Sequence, residues 1–239
     1  MRFNLPNTLT CFNLLSGCIA AVMAFRNHLD YAAYFIFLSA FFDLLDGLAA
    51  RKWSSNSAFG KELDSLADVV SFGFVPGAIM FKLLQHSEMD SYFHSEIIIS
   101  ILQFFPFIIT VFSALRLAKF NIDTRQSNSF IGLPVPANAL VIVSLPLILN
   151  QFAGRFDSVI LNPFFIFIIS FTFSLLMVSE LPLFSMKFKT LGFHENRYQY
   201  ILLLISVIAF PIFLFAAIPL IIILYILLSV LQNSIKTKN

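Results

Sequence analysis

The chain has 239 residues, of which 59% are apolar, 16% aromatic and only 12% charged, with a formal net charge of +2. A soluble domain carries charge on roughly a quarter of its residues, so this composition excludes an ordinary water-soluble globule and indicates a polytopic membrane protein. The small net charge, spread through loops without aromatic interleaving, argues against a nucleic-acid partner.

Apolar runs read against turn residues and charge clusters predict an all-α bundle of eight transmembrane helices, near residues 7–25, 30–51, 62–84, 95–120, 134–151, 160–178, 198–214 and 216–232. The first has neither a strong basic leader nor a small-residue cleavage site, so it is expected to remain as a span. It carries Cys11 and Cys18, which are too far apart along a helix for a disulfide and are expected to be small buried side chains. Asn7, Thr10 and Asn13 recur on the same span at helical spacing, where they can bridge helices or face a ligand. Pro211 and Pro219, with the length of the last apolar run, divide it into two short helices.

An even number of spans places both termini on one side of the membrane. Arg2, Arg51, Lys52, Lys61, Lys119, Arg125, Lys187, Lys189, Arg197, Lys236 and Lys238 fall on that side, against Arg26, Lys82 and Arg155 on the other. The positive-inside rule therefore predicts cytoplasmic termini. With no repeat and no soluble segment, residues 1–239 are expected to form a single membrane-embedded domain. His28, His86, His94 and His194 do not pair at ligand spacing, and the 31 phenylalanines are expected to serve packing and lipid contact.

The chemistry lies between the second and third spans. Asp43, Asp46, Gly47, Ala50 and Arg51 fall within an arc of about 140° on one helix, and Asp64 and Asp68 lie one turn apart on the next. Counted from Arg51 and Lys61 at the cytoplasmic ends, Asp43 and Asp68 reach roughly 10–12 Å inward at about 1.5 Å per residue. Each ionised group within a span costs on the order of 2.5–3.5 kcal/mol, so unpaired aspartates at this depth require neutralisation. Hard oxygen ligands in a net negative pocket suit Mg²⁺ or Mn²⁺. Gly47 leaves room for close approach, and Gly60 stands where a helix begins and free N–H groups can meet a phosphate; small residues at both places also serve helix packing.

The order Asp43-x2-Asp46-Gly47-x2-Ala50-Arg51-x8-Gly60-x3-Asp64-x3-Asp68 resembles the full signature of the CDP-alcohol phosphatidyltransferase family. The resemblance implies an enzyme whose Asp43, Asp46, Asp64 and Asp68 hold two divalent cations, with Asp68 as base toward an alcohol, and whose Gly47, Ala50, Arg51 and Gly60 belong to the CDP site. Outside the signature, four stretches look like the serine-accepting branch: Leu5-Pro6-Asn7 with Thr10 and Asn13, Ser113 to Asn121, Gly132-Leu133-Pro134-x-Pro136, and Leu176 to Lys189. They imply CDP-diacylglycerol and serine as substrates. Asn7, Thr10 and Asn13 become candidates for cytidine or ribose contact. Arg116, Lys119 and Asn121 become candidates for holding the acceptor, although Arg116 and Lys119 also fit the pattern of interfacial snorkelling anchors. Lys119 departs from the arginine of that branch, and a lysine cannot make a forked carboxylate contact.

By the same resemblance the protein belongs in a bacterial or archaeal cytoplasmic membrane with its site facing the cytoplasm, and members of the family often pair as homodimers. Within the family, glycerol 3-phosphate, inositol phosphate or choline are alternative acceptors. A membrane prenyltransferase or a cation transporter would also use intramembrane aspartates.

Overall fold

The structure is a computed structural model that describes residues 4–52, 57–123, 130–184, 192 and 196–236. Arg2, Arg125, Lys187, Lys189, His194 and Lys238, which the charge and histidine readings used, lie outside the described residues. Helix α1 (Leu5–Phe25) begins where the Asn4 side chain accepts the Asn7 N–H at 3.1 Å, with Pro6 in a first turn that needs no helical donor from it. Helix α2 (Leu29–Lys52) returns after a turn in which Asn27 takes a positive φ of 64°. Helix α3 (Ala58–Gln85) is continuous but changes pitch, running as α-helix to Asp68, as π-helix over Val69–Phe74, and as α-helix again to Gln85. Helix α4 (Glu96–Ile122) contains a 3₁₀ turn at Phe105–Phe107, around Pro106. Helices α5 (Val135–Gln151), α6 (Pro163–Val178), α7 (Arg197–Phe213) and α8 (Ala217–Lys236) complete the bundle.

These helices lie close to their expected positions, and the differences have local causes. Helix α3 starts at Ala58, ahead of the expected residue 62, because the Ser57 side chain caps it by accepting the Gly60 N–H at 2.9 Å. Helix α6 starts at Pro163 because Asn162 accepts the Phe164 N–H and the proline needs no partner there. The last apolar run is two helices, broken by a 3₁₀ turn at Leu214–Ala216 in which Leu214 has φ 47°. A two-stranded antiparallel ribbon pairs Phe130–Ile131 (β1) with Pro182–Leu183 (β2), which the apolar pattern does not foretell.

By length and composition, five stretches can cross a membrane: α1, α2, α3, α4, and Arg197–Ser234 taken as a whole. Helices α5 and α6, with 17 and 16 residues, fall below the roughly 20 that a perpendicular crossing takes. Cys11 and Cys18 are exposed and unbridged, contrary to the expectation of burial. A lipid-facing surface accepts small apolar side chains as readily as a core does, so apolar character alone cannot tell the two apart.

The most buried of the five candidate spans is α3, which packs against α1 and α4. Gly17 of α1 allows the first approach: a Cβ there would stand 2.2 Å from Ser71 Oγ. Gly132 joins the β1 end to α6, with φ 75° and its N–H donating to Leu181 O at 2.9 Å; a Cβ there would stand 2.4 Å from Met177 O. Gly154 also has a positive φ, 81°, but nothing within 4 Å of its added Cβ. Both Gly→Ala changes incur the left-handed backbone cost of about 1–2 kcal/mol, and only Gly132→Ala adds a clash with backbone. Thermal unfolding in detergent should therefore show a clearly larger fall in Tm for Gly132→Ala than for Gly154→Ala.

Candidate functional site

Helix α2 carries Asp43 and Asp46, and the first turns of α3 carry Asp64 and Asp68. The two helices pack on α1, and this brings one carboxylate oxygen each from Asp43, Asp64 and Asp68 within 4.8 Å of one another. Asp68 is buried, while Asp43 and Asp64 are half-buried. Asp64 Oδ1 is buried without a hydrogen-bond partner. An orphaned carboxylate oxygen facing two other carboxylates is costly unless a cation joins them. The donor set is all oxygen, which fits Mg²⁺ or Mn²⁺.

Asp46 stands apart from this trio. Its Oδ2 accepts the Thr10 hydroxyl at 2.7 Å, and it lines a cavity of about 480 Å³ with Asn7, Thr10, Gly47, Ala50, Gly60 and Asp64. That cavity opens between α1, α2 and the start of α3, beside the carboxylates. Gly47 leaves it open, since nothing lies within 4 Å of a Cβ built there. At Gly60 an added Cβ would stand 3.0 Å from Asn7 Oδ1. The Gly60 N–H donates to Ser57 Oγ at 2.9 Å, within the cap of α3. Ser57 and Lys61 also line the cavity, and neither was singled out for the site from the sequence; a serine just ahead of the third helix is an N-cap signal that would have found Ser57.

The remaining expected residues divide between cavity and support. Asn13 is fully buried and does not line the cavity; its Nδ2 donates to Asp68 Oδ1 at 3.2 Å. Arg51 is exposed and its Nε donates to Gly47 O at 3.0 Å, one turn back on its own helix. Asn121 braces α3 against α4, accepting Lys61 Nζ at its backbone carbonyl (2.7 Å) and donating Nδ2 to Ser65 Oγ (2.9 Å). Lys119 is ion-paired with Glu180, a partner the sequence reading missed. Arg116 is only 6% exposed, its guanidinium carbon 4.8 Å from the Phe120 ring centroid, and it interacts electrostatically with Asp68.

An acidic trio thus stands beside a cavity on helices long enough and apolar enough to cross a bilayer. The model of the CDP-alcohol phosphatidyltransferase family matches residues 3–176, and the chain belongs to that family. Among similar proteins, the CDP-diacylglycerol–serine O-phosphatidyltransferase of Helicobacter pylori strain J99 is 35% identical over 149 residues, which are 62% of this chain and 59% of that protein. The protein of the same description from Methanocaldococcus jannaschii is 36% identical over 143 residues, 60% of each chain. The archaetidylserine synthase of Methanothermobacter thermautotrophicus is 33% identical over 142 residues, 59% of this chain and 56% of that one. The chain thus spans less than two thirds of the length of these relatives.

The division between trio and cavity can be tested by metal binding. In Mn²⁺ titrations followed by electron paramagnetic resonance, Asp43→Asn and Asp64→Asn should each weaken binding at least about tenfold, as loss of one hard ligand does. Thr10→Val, whose hydroxyl reaches Asp46 and Pro6 O but none of the trio, should weaken the binding less than either of these changes.

Proposed function

We propose that this chain transfers the phosphatidyl group of CDP-diacylglycerol to the hydroxyl of L-serine, giving phosphatidylserine and CMP. The observation that carries the acceptor assignment is Arg116: a buried guanidinium, stacked on Phe120, near Asp68, with no hydrogen bond among the described residues. Such a group is a fixed cation with its planar fork of donors free for a carboxylate. The relatives named CDP-diacylglycerol–serine O-phosphatidyltransferase, 35% and 36% identical, support the same acceptor. A phosphorylated acceptor would call for a denser basic cluster, and Lys119 is already engaged by Glu180.

In this reading Asp43, Asp64 and Asp68 hold one divalent cation, Mg²⁺ or Mn²⁺, and Asp46 joins in holding a second. Cations held by these residues would supply positive charge against the diphosphate and the leaving group. Asn7, Thr10, Gly47, Ala50 and Gly60 form the wall of the CDP site. The serine hydroxyl oxygen attacks the phosphorus bearing the diacylglycerol, the bond from that phosphorus to the CMP oxygen breaks, and the hydroxyl proton passes to Asp68. No covalent nucleophile from the chain is needed. Arg116 fixes the serine carboxylate so that the hydroxyl faces the phosphorus, an orientation effect that serves the reacting alcohol alone.

The protein acts as a single membrane-embedded domain of eight spans, with both termini and the site on the cytoplasmic side of a bacterial or archaeal membrane. Pairing as a homodimer follows from the family resemblance only. The relative named archaetidylserine synthase favours, as a second reading, an ether-linked CDP-lipid donor with the same acceptor.

Purified protein in detergent, given CDP-diacylglycerol and Mn²⁺, should release CMP with serine and not with glycerol 3-phosphate, inositol phosphate or choline. Release with another of these alcohols in place of serine would sink the assignment, and comparison of ester- with ether-linked donors separates the two readings. Arg116→Lys should raise the KM for serine at least about tenfold with little change for the CDP-lipid, because one ammonium cannot replace a forked contact. Lys119→Ala should change either KM less than about threefold, its charge being half-exposed and already paired.

A further inference from the structure

Asn13 of α1 has its carboxamide at the meeting point of three helices. Its Nδ2 donates to Asp68 Oδ1 at 3.2 Å, and its Oδ1 accepts a close hydrogen bond from the Ser39 hydroxyl of α2. Its backbone carbonyl lies 3.1 Å from Ser39 Oγ and 3.2 Å from Ser71 Oγ of α3. Asn13, Ser39 and Ser71 are buried, at 0% exposure. Ser71 can reach this carbonyl only because position 17 is glycine, whose missing Cβ would stand 2.2 Å from Ser71 Oγ. Ser71 also lies in the π-helical segment that follows Asp68 directly. Single π-turns of this kind often mark functional sites.

The chemistry of these groups permits one arrangement of the Asn13 amide. An ionised carboxylate only accepts, so the NH₂ must face Asp68 and the carbonyl oxygen must face Ser39, whose hydroxyl then donates. Turning the amide over would set two acceptors against each other at Asp68. Ser39 therefore fixes the side chain, and the side chain fixes one oxygen of Asp68.

We propose that Asn13 is a positioning residue for the metal centre and not a nucleotide contact: it holds Asp68 so that its carboxylate converges with Asp43 and Asp64, and Ser39 locks it in the donor orientation. The proposal rests on the metal-holding role given to the trio above. Groups that orient a metal ligand from behind typically matter about 10–100-fold in metal affinity or activity.

The test is Mn²⁺ affinity by electron paramagnetic resonance, together with CMP affinity by calorimetry at saturating Mn²⁺; neither measurement involves the acceptor alcohol. Asn13→Ala should weaken Mn²⁺ binding at least about tenfold and leave CMP affinity within about twofold once Mn²⁺ is saturating. Ser39→Ala, which keeps Asn13 and removes one hydroxyl, should weaken Mn²⁺ binding about three- to tenfold, and it carries the test if Asn13→Ala fails to fold. Wild-type Mn²⁺ affinity in Ser39→Ala, or a loss of CMP affinity in Asn13→Ala with Mn²⁺ binding intact, would overturn the proposal. A wild-type protein that binds no Mn²⁺ would instead overturn the metal reading on which the proposal stands.

Discussion

Three carboxylates with oxygens within 4.8 Å of one another repel, by about 3–4 kcal/mol for each ionised pair at an effective dielectric of about 20. In an apolar bundle that repulsion adds to the cost of desolvating each charge. Much of the surrounding structure can be understood as holding these groups together against it. Helix α1 supplies neutral donors from beneath, Asn13 to Asp68 and Thr10 to Asp46, and both are buried. Arg116 supplies positive charge from α4 without forming an ion pair that would quench the carboxylates. What the chain leaves incomplete is the charge balance of the trio itself, and a divalent cation would complete it.

The cationic side chains near the site are allotted unequal freedom. Lys61 is tied to the Asn121 carbonyl, Arg51 to its own helix, and Lys119 to Glu180. Arg116 alone among these four has no hydrogen bond among the described residues and is buried on an aromatic face. One buried guanidinium near the carboxylates would suit an acceptor with one carboxylate better than one carrying a phosphate. In the proposed reading, Glu180 matters to the acceptor by occupying Lys119, and Arg116 by remaining available.

Much of this was legible in the sequence. The helices followed from apolar runs, because in lipid an uninterrupted apolar stretch has few alternatives to helix. The aspartates followed from their spacing, since a helix fixes which side chains share a face. Tertiary partners were less accessible. Nothing local to Asn13 says that Ser39 and Ser71 will enclose it, and nothing local to Lys119 announces Glu180, because both contacts join segments that only the packed bundle brings together. The outward placement of Cys11 and Cys18 was illegible for a different reason, the lipid and the core being alike to a small apolar group. The cap at Ser57 could have been read from its position just ahead of the third helix.

The central claim is that Asp43, Asp64 and Asp68 share one divalent cation. Anomalous diffraction from crystals of the protein grown with Mn²⁺ tests it most directly. The account predicts an anomalous peak among these three carboxylates, with oxygens of all three at bonding distance of about 2.0–2.3 Å. A peak elsewhere with the trio bare, or a trio bridged by Arg116 in place of a metal, would contradict it.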